Sequence, residues 1–488
     1  MTPANNILLG GENGRQLFMN AAMGNRHGII SGATGTGKTV TLQVLAEAFS
    51  GLGVPVFMAD IKGDLSGLGN AGSMNEHIAS RAQNIAMEHY QNHANPVVFW
   101  DLFGQSGHPI RTTISDMGPL LLSSLLELND TQTGVLYSGF KIADDHGLLL
   151  LDLKDLRSLL SWMGDNAREL KSEYGNISPA SIGAIQRRLL VLEQQGAEHF
   201  FGEPALQLED LGKSDFSGNG VISILDATEL VNKSPRLYAT FLLWLLSELY
   251  ENLPEVGDTQ HPRLVLFFDE AHLLFNRAPM VLVDKIEQIT RLIRSKGVGV
   301  FFISQNPTDI PEDILGQLGL RIQHALRAYT PKDRKTIRSI AATFRANPDL
   351  DTERVIGELA TGEALVSVLD GKGSPTPVQR ILLCPPASQI GPVDATRRRE
   401  MIERSPFNGK YDQGIDRESA YELLKKRAAM AAEQQPETRR RQARSASRGS
   451  RRQSVGEALI KSAARSIGSQ IGRQLIRGIM GSLLGGRR

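Results

Sequence analysis

The chain has 488 residues, 41% of them apolar and 22% charged, with a formal net charge of +1 and one cysteine. That length predicts two or three folding units, the composition is ordinary for a globular protein, and the lone Cys384 excludes an internal disulfide and suits a reducing cytoplasm. No charged start leads into a long apolar stretch and no run reaches about 18 apolar residues, so neither a signal peptide nor an ordinary membrane span is expected.

The first structured signal along the chain is HGIISGATGTGKT (27–39). Gly28 to Ser31 reads as a short buried strand. Gly32, Ala33, Thr34, Gly35, Thr36 and Gly37 follow as a glycine-rich turn, and a helix opens at Lys38 and Thr39. Glycines let backbone N–H groups wrap phosphate oxygens, and the helix N-terminus adds its partial positive charge. Lys38 is placed to reach the β- and γ-phosphates and the Thr39 hydroxyl to hold Mg²⁺, so ATP and Mg²⁺ are the expected ligands. A plain glycine turn beside a helix is the alternative. The strand, loop and helix in the right order argue against it.

Two further short strands are predicted in VPVFMAD (54–60), which runs into the glycine-rich loop IKGDLSGLG, and in PVVFWDLFG (96–104). Residues 112–212 change to Leu-rich segments of helical period, read as an all-helical insertion. Strands resume at GVISILDAT (220–228), followed by a long apolar helix, RLYATFLLWLLSELYENL, whose interior charge favours burial over a membrane.

RLVLFFDE (263–270) then ends an apolar strand in two carboxylates, at the strand end where open α/β sheets bind ligands. Asp269 fits the Mg²⁺-organising group and Glu270 a general base for attacking water. After a helix over 281–296, VGVFFISQ (298–305) ends in Gln305, an amide suited to touching both the γ-phosphate and water. QHALRAYT (323–330), GEALVSVLD (362–370) and PVQRILLCPP (377–386) complete the predicted strands. Alternating strands and helices predict an α/β fold with a mostly parallel central sheet.

Charge is uneven along the chain. Residues 397–488 hold 22 Lys and Arg against 9 Asp and Glu, a net of +13, which leaves the preceding residues at −12. A basic tail on an acidic body points to an anionic partner, or to a tail that only solubilises. Within it, 430–454 has a disordered composition, and 455–488 reads as a basic amphipathic helix with an Ile/Leu stripe. The expected organisation is therefore a core of 1–111 and 213–390, the helical insertion 112–212, a helical or disordered basic linker over 391–454, and the terminal helix.

The ordered set GATGTGKT, MADIKGD, LFFDEAH, RLIRSKGVGVFFISQNPTDIP and RIQHALRAYTPKDRKTI resembles the ATPase core of HerA-type proteins. These group with FtsK and the conjugative pumps among RecA-like P-loop NTPases, and the pattern here is most like the bacterial YjgR-type group. The string DEAH does not bring the other ordered motifs of DEAH-box helicases. The resemblance covers roughly 7–385 outside the insertion. It implies a hexameric ring with ATP sites between subunits, translocating nucleic acid or protein, and gives Lys38, Thr39, Asp269, Glu270 and Gln305 the roles already argued.

The resemblance also implies an arginine supplied in trans to the γ-phosphoryl group, for which Arg294 is the first choice, Arg327 the second, and Arg291 and Arg321 weaker ones. HerA proper carries a β-barrel ahead of its phosphate loop; here the preceding stretch is too short for one. Two functions stay open: a motor acting on DNA, its basic tail holding phosphates, and an ATPase working on protein partners or at a membrane surface through the terminal helix.

Overall fold

The computed structural model describes residues 5–12, 14–257, 259–276 and 280–430. The chain divides into two compact units. Among the described residues, one comprises 5–112 with 194–415 and the other 113–193 with 416–430.

The first unit is built on a twelve-stranded sheet. Its strands are β1 (Asn6–Glu12), β2 (Arg15–Asn20), β3 (Gly28–Ser31), β4 (Val56–Asp60), β5 (Val97–Asp101), β6 (His108–Pro109), β7 (Ile222–Asp226), β8 (Leu264–Phe268), β9 (Val298–Ser304), β10 (Leu320–Gln323), β11 (Glu363–Ser367) and β12 (Gln379–Leu383). Their spatial order is β2-β1-β12-β11-β10-β3-β9-β8-β4-β7-β5-β6. All pairs from β10 to β6 are parallel, and the four pairs from β10 to β2 are antiparallel.

The parallel strands are continuous apolar runs because both faces are covered: every residue of β3, β4, β8 and β9 is buried. Helix α1 (Lys38–Gly51) lies against this core, its Phe49 ring 5.8 Å from Phe301, which in turn meets Phe267 at 5.0 Å. The helix Pro235–Asn252 is buried over most of its length, as its apolar sequence requires. Among the described residues no helix is long and apolar enough to cross a membrane.

Parallel register fixes which residues leave the sheet together. Ser31 pairs with Ser304 and Phe268 with Phe302, so Gly32, Gln305 and the Asp269–Glu270 pair emerge at one edge.

The opposite edge is pinned by His27, whose backbone takes a φ of 59°. Its Nδ1 accepts from the Val300 N–H at 3.1 Å, so Nε2 carries the proton and donates to the Thr290 carbonyl at 2.8 Å. One neutral imidazole thus joins β3, β9 and the helix Met280–Ile293. Complete burial pushes this ring down to about 4.

Residues ahead of the phosphate loop form the β1–β2 hairpin, and β1 extends the sheet by pairing with β12. Three expectations need correction. The strand expected at 323–330 ends at Gln323; beyond it the backbone turns away to hydrogen-bond the phosphate loop and the helix Thr352–Glu358.

The compact helical unit runs from 113 to 193 and not to 212, and it takes in residues 416–430. The reason lies in Asp155, a fully buried carboxylate. It accepts from the Leu151 and Asp152 N–H groups at 2.8 and 3.2 Å, from the Ser419 hydroxyl at 2.5 Å and from the Tyr421 N–H at 2.9 Å. Residues 391–415 are not a linker. They carry the helix Ala395–Glu403, and Tyr411 is buried edge-on to Trp100 at 5.2 Å while Arg398 pairs with Asp226 at 2.9 Å. The amphipathic helix expected at 455–488, and the linker beyond 430, lie outside the described residues.

The His27 arrangement makes stability acid-sensitive. The folded ring protonates near 4 and the unfolded one near 6.5, so the contribution is complete above 6.5 and is lost as pH falls towards 4. About 3 kcal/mol should disappear between those limits, and His27→Gln should abolish that part of the slope. Denaturant unfolding across a pH series reads it; an unchanged slope in His27→Gln would refute the assignment.

Candidate nucleotide site

The loop from Gly32 to Gly37 departs from β3 through backbone angles that only glycine adopts freely, with φ of 148° at Gly32, 78° at Gly35 and 110° at Gly37. Gly37 is also the N-cap of α1, so the helix begins at Lys38 with its N–H groups turned toward the loop. The Lys38 ammonium is folded into the loop and donates to the Gly32 and Ala33 carbonyls at 2.7 and 3.0 Å. Thr36 closes the turn with a 2.7 Å bond to the Ala33 carbonyl. Burial, and then repulsion from Lys62, hold the Lys38 ammonium below the usual lysine range against the attraction of Glu270 and Asp269.

Directly beyond β8, Asp269 and Glu270 are both buried. Asp269 Oδ1 accepts from the Glu270 N–H at 2.9 Å, and Glu270 takes a φ of 45°, a left-handed conformation uncommon for a residue with a β-carbon. The chain has left the extended line of β8, which ends at Phe268, and takes this strained turn at Glu270. Gln305, beyond β9, brings its Nε2 to 3.5 Å from Glu270 Oε2, and His272 Nδ1 lies 3.3 Å from the same oxygen.

Burial raises Asp269 above the usual carboxylate range. It opposes the charge of Glu270 as well, but the hydrogen bond and charge of Lys62 outweigh it and bring Glu270 below that range. Thr39 hydrogen-bonds Asp64, whose own burial raises it against the pull of Lys62 and of that bond. Thr39 and Asp269 thus supply hard oxygen donors beside the loop, the donor chemistry that Mg²⁺ takes from a protein that leaves most of its positions to phosphate and water.

The structure therefore brings Lys38, Asp269, Glu270 and Gln305 to one edge, with Thr39 on the first turn of α1. It does not bring the arginines there. Arg294 precedes β9, at the far edge of the sheet, where its charge acts on His27. Arg327 follows β10 on the loop's side, with its guanidinium spent on the Gly357 and Leu359 carbonyls. Arg291 pairs with Glu287 and Arg321 bonds the Leu315 carbonyl.

Two residues were not singled out from the sequence. Lys62 lies 2.6 Å from Glu270 Oε1 and 3.5 Å from Asp269 Oδ2. His324 sits behind the loop, with Nε2 2.9 Å from the Thr41 hydroxyl and its N–H on the Ser31 carbonyl at 2.7 Å, while Ala33 donates to Ala325 at 2.9 Å. A charged residue in the IKGD turn after a buried strand was the available signal for Lys62.

A profile of the helicase HerA-like C-terminal family matches residues 5–488. The chain belongs to that family, and with it to the P-loop ATPases. Among solved structures it is similar to the bacterial conjugative coupling protein TrwBdeltaN70 in its unbound monoclinic form, at 16% identity and a TM-score of 0.51 over 78% of this chain and 91% of that one. It is similar also to VirB4 of Thermoanaerobacter pseudethanolicus, at 16% identity and a TM-score of 0.50 over 82% and 99% of the two chains. These likenesses show a shared α/β fold with a large, mostly parallel sheet. No curated protein matches.

The loop's backing is tight enough to test. A β-carbon on Gly32 would stand 2.5 Å from His324 Cβ at a φ that side chains avoid. Gly32→Ala should weaken binding of a fluorescent ATP analogue by roughly tenfold or more, the size expected from 1–3 kcal/mol of local strain. Wild-type affinity would show that the loop does not need this close approach.

Proposed function

We propose that this protein hydrolyses ATP as an oligomeric ring, with sites between subunits, and uses the energy to move DNA. The observation that carries the reading is the meeting of Lys38, Asp269, Glu270 and Gln305 from three adjacent strand ends. Lys38 leaves its loop carbonyls for the β- and γ-phosphates. Thr39 and Asp269 are the residues to hold Mg²⁺, which supplies charge neutralisation for the phosphates. Glu270, ionised, takes the proton from water as the water oxygen bonds the γ-phosphorus. The bond from that phosphorus to the β,γ-bridging oxygen breaks and ADP departs. Gln305 orients the water and reports its consumption to β9.

The developing charge calls for an arginine from a neighbour. Arg294 remains the first choice: seven residues of β9, about 20 Å of strand, separate it from its own subunit's Gln305. Arg327 is the second. HerA-type translocation of DNA is the favoured work, with the basic segment beyond 430 as the phosphate-binding part. The Ile/Leu stripe of 455–488 supports the other reading, in which the segment lies on an anionic membrane or meets a protein.

Steady-state turnover separates the roles at the site. Lys38→Ala should lose nucleotide binding and activity together, while Glu270→Gln should bind ATP normally and turn over at least about a hundredfold more slowly. Near wild-type turnover in Glu270→Gln would remove the base from the mechanism.

The work done is read by the tail. The full chain should bind duplex DNA with an affinity that falls steeply with salt, and neutralising the seven arginines between 439 and 452 should flatten that slope. Binding that survives this change and salt, but is lost from anionic liposomes in Ile467→Asp/Ile479→Asp, would replace DNA with the membrane.

A further inference from the structure

Lys62 belongs to the loop after β4, and that loop is held by one buried carboxylate. Asp60 accepts from the N–H groups of Gly63, Asp64 and Leu65 at 2.7, 3.2 and 3.0 Å. Parallel pairing of Ala59 with Phe268 then sets this loop level with the end of β8. The lysine reaches across from β4 to the two carboxylates that follow β8, one strand away from its own.

The pairing differs from an ordinary surface ion pair, which contributes little. Its side chain is 38% exposed, but those of Asp269 and Glu270 are only 5% and 8% exposed, and one ammonium serves both. Two adjacent buried carboxylates repel, and a cation between them relieves the repulsion.

The contact also divides the work of the Glu270 oxygens. Oε1 is taken by Lys62 at 2.6 Å, whereas Oε2 is the oxygen that faces Gln305 and His272. The Lys62 contact is the shortest of the three to this carboxylate, 2.6 Å against 3.3 Å from His272 and 3.5 Å from Gln305, so the cation sets its rotation.

We propose that Lys62 is a positioning residue for the general base: it anchors Oε1 of Glu270 and leaves Oε2, beside Gln305, as the oxygen that receives the proton of attacking water. This rests on Glu270 being the base. It adds a residue from a fourth strand end to the machinery, and it makes β4 part of the hydrolytic step.

The test uses the full chain with ATP and Mg²⁺ in four forms: wild type, Lys62→Ala, Glu270→Gln and the double variant. Lys62→Ala should lower kcat roughly 10- to 100-fold, the usual loss when a group that orients a reacting residue is removed, with KM for ATP changed less than threefold. Lys62→Arg should recover most of kcat, because the guanidinium can hold the same oxygen. In the Glu270→Gln background the Lys62 change should cost nothing further, since it acts through the carboxylate.

A tenfold or larger rise in KM with kcat retained would make Lys62 a phosphate ligand and overturn the proposal. The same fold-loss from Lys62→Ala with and without Glu270 would overturn it also. Failure of the underlying reading has its own signature, wild-type turnover in the single Glu270→Gln variant.

Discussion

Parallel pairing of β3, β9, β8 and β4 ends four adjacent strands at one level, and the candidate site depends on that shared edge. Every residue of these strands is buried, and polar residues occur only at their ends, Ser31, Asp60 and Ser304. Burial therefore specifies the register strongly: a slip by one residue would exchange the faces of every side chain and carry the turn residues out of line. With the register set, Lys38, Lys62, the Asp269–Glu270 pair and Gln305 meet, although the first and last are separated by most of the sheet's sequence. None of these charges is stable alone in such a place. Each carboxylate loses hydration on burial, and the two ammonium groups within reach offset the loss. The left-handed backbone of Glu270 is held within the same network, through the Asp269 carboxylate and the 2.8 Å bond from the Ala271 N–H to Ile303.

How much of this was legible in the sequence follows from how local each signal is. The phosphate loop was readable because strand, glycine turn and helix are contiguous, and the helix does begin at Lys38. Asp269, Glu270 and Gln305 were readable because each ends an apolar run, which marks a strand end whatever its neighbours are. Lys62 was not, because its partners lie more than 200 residues away and a lysine in a glycine-rich turn ordinarily faces water. Residues 324–330 have the apolar character of a strand, but Ala325 spends its carbonyl on Ala33, and Leu326 spends its N–H on Ile356. The N-terminal hairpin carries a weak strand signal, because β1 reads NILLGGE and its paired glycines interrupt the apolar run. In the segment after 390, arginine density masked the aromatic residues Phe407 and Tyr411, whose burial beside Trp100 makes it part of the sheet unit.

The Asp155 carboxylate has a consequence for how the chain is made. Two of its four donors, from Leu151 and Asp152, are local, and the capping interactions of its helix can form as soon as that segment is synthesised. The other two come from Ser419 and Tyr421, separated from it by 264 and 266 residues. At about 5–20 residues per second, translation takes on the order of tens of seconds to cover that interval. Throughout it the carboxylate must remain hydrated, because closing over it without those donors would strand a charge. The helical unit is thus early in sequence and late in completion. Its nascent form keeps an open seam at Asp155 while the strands from β7 to β12 are produced, and the arrival of Ser419 shuts that seam.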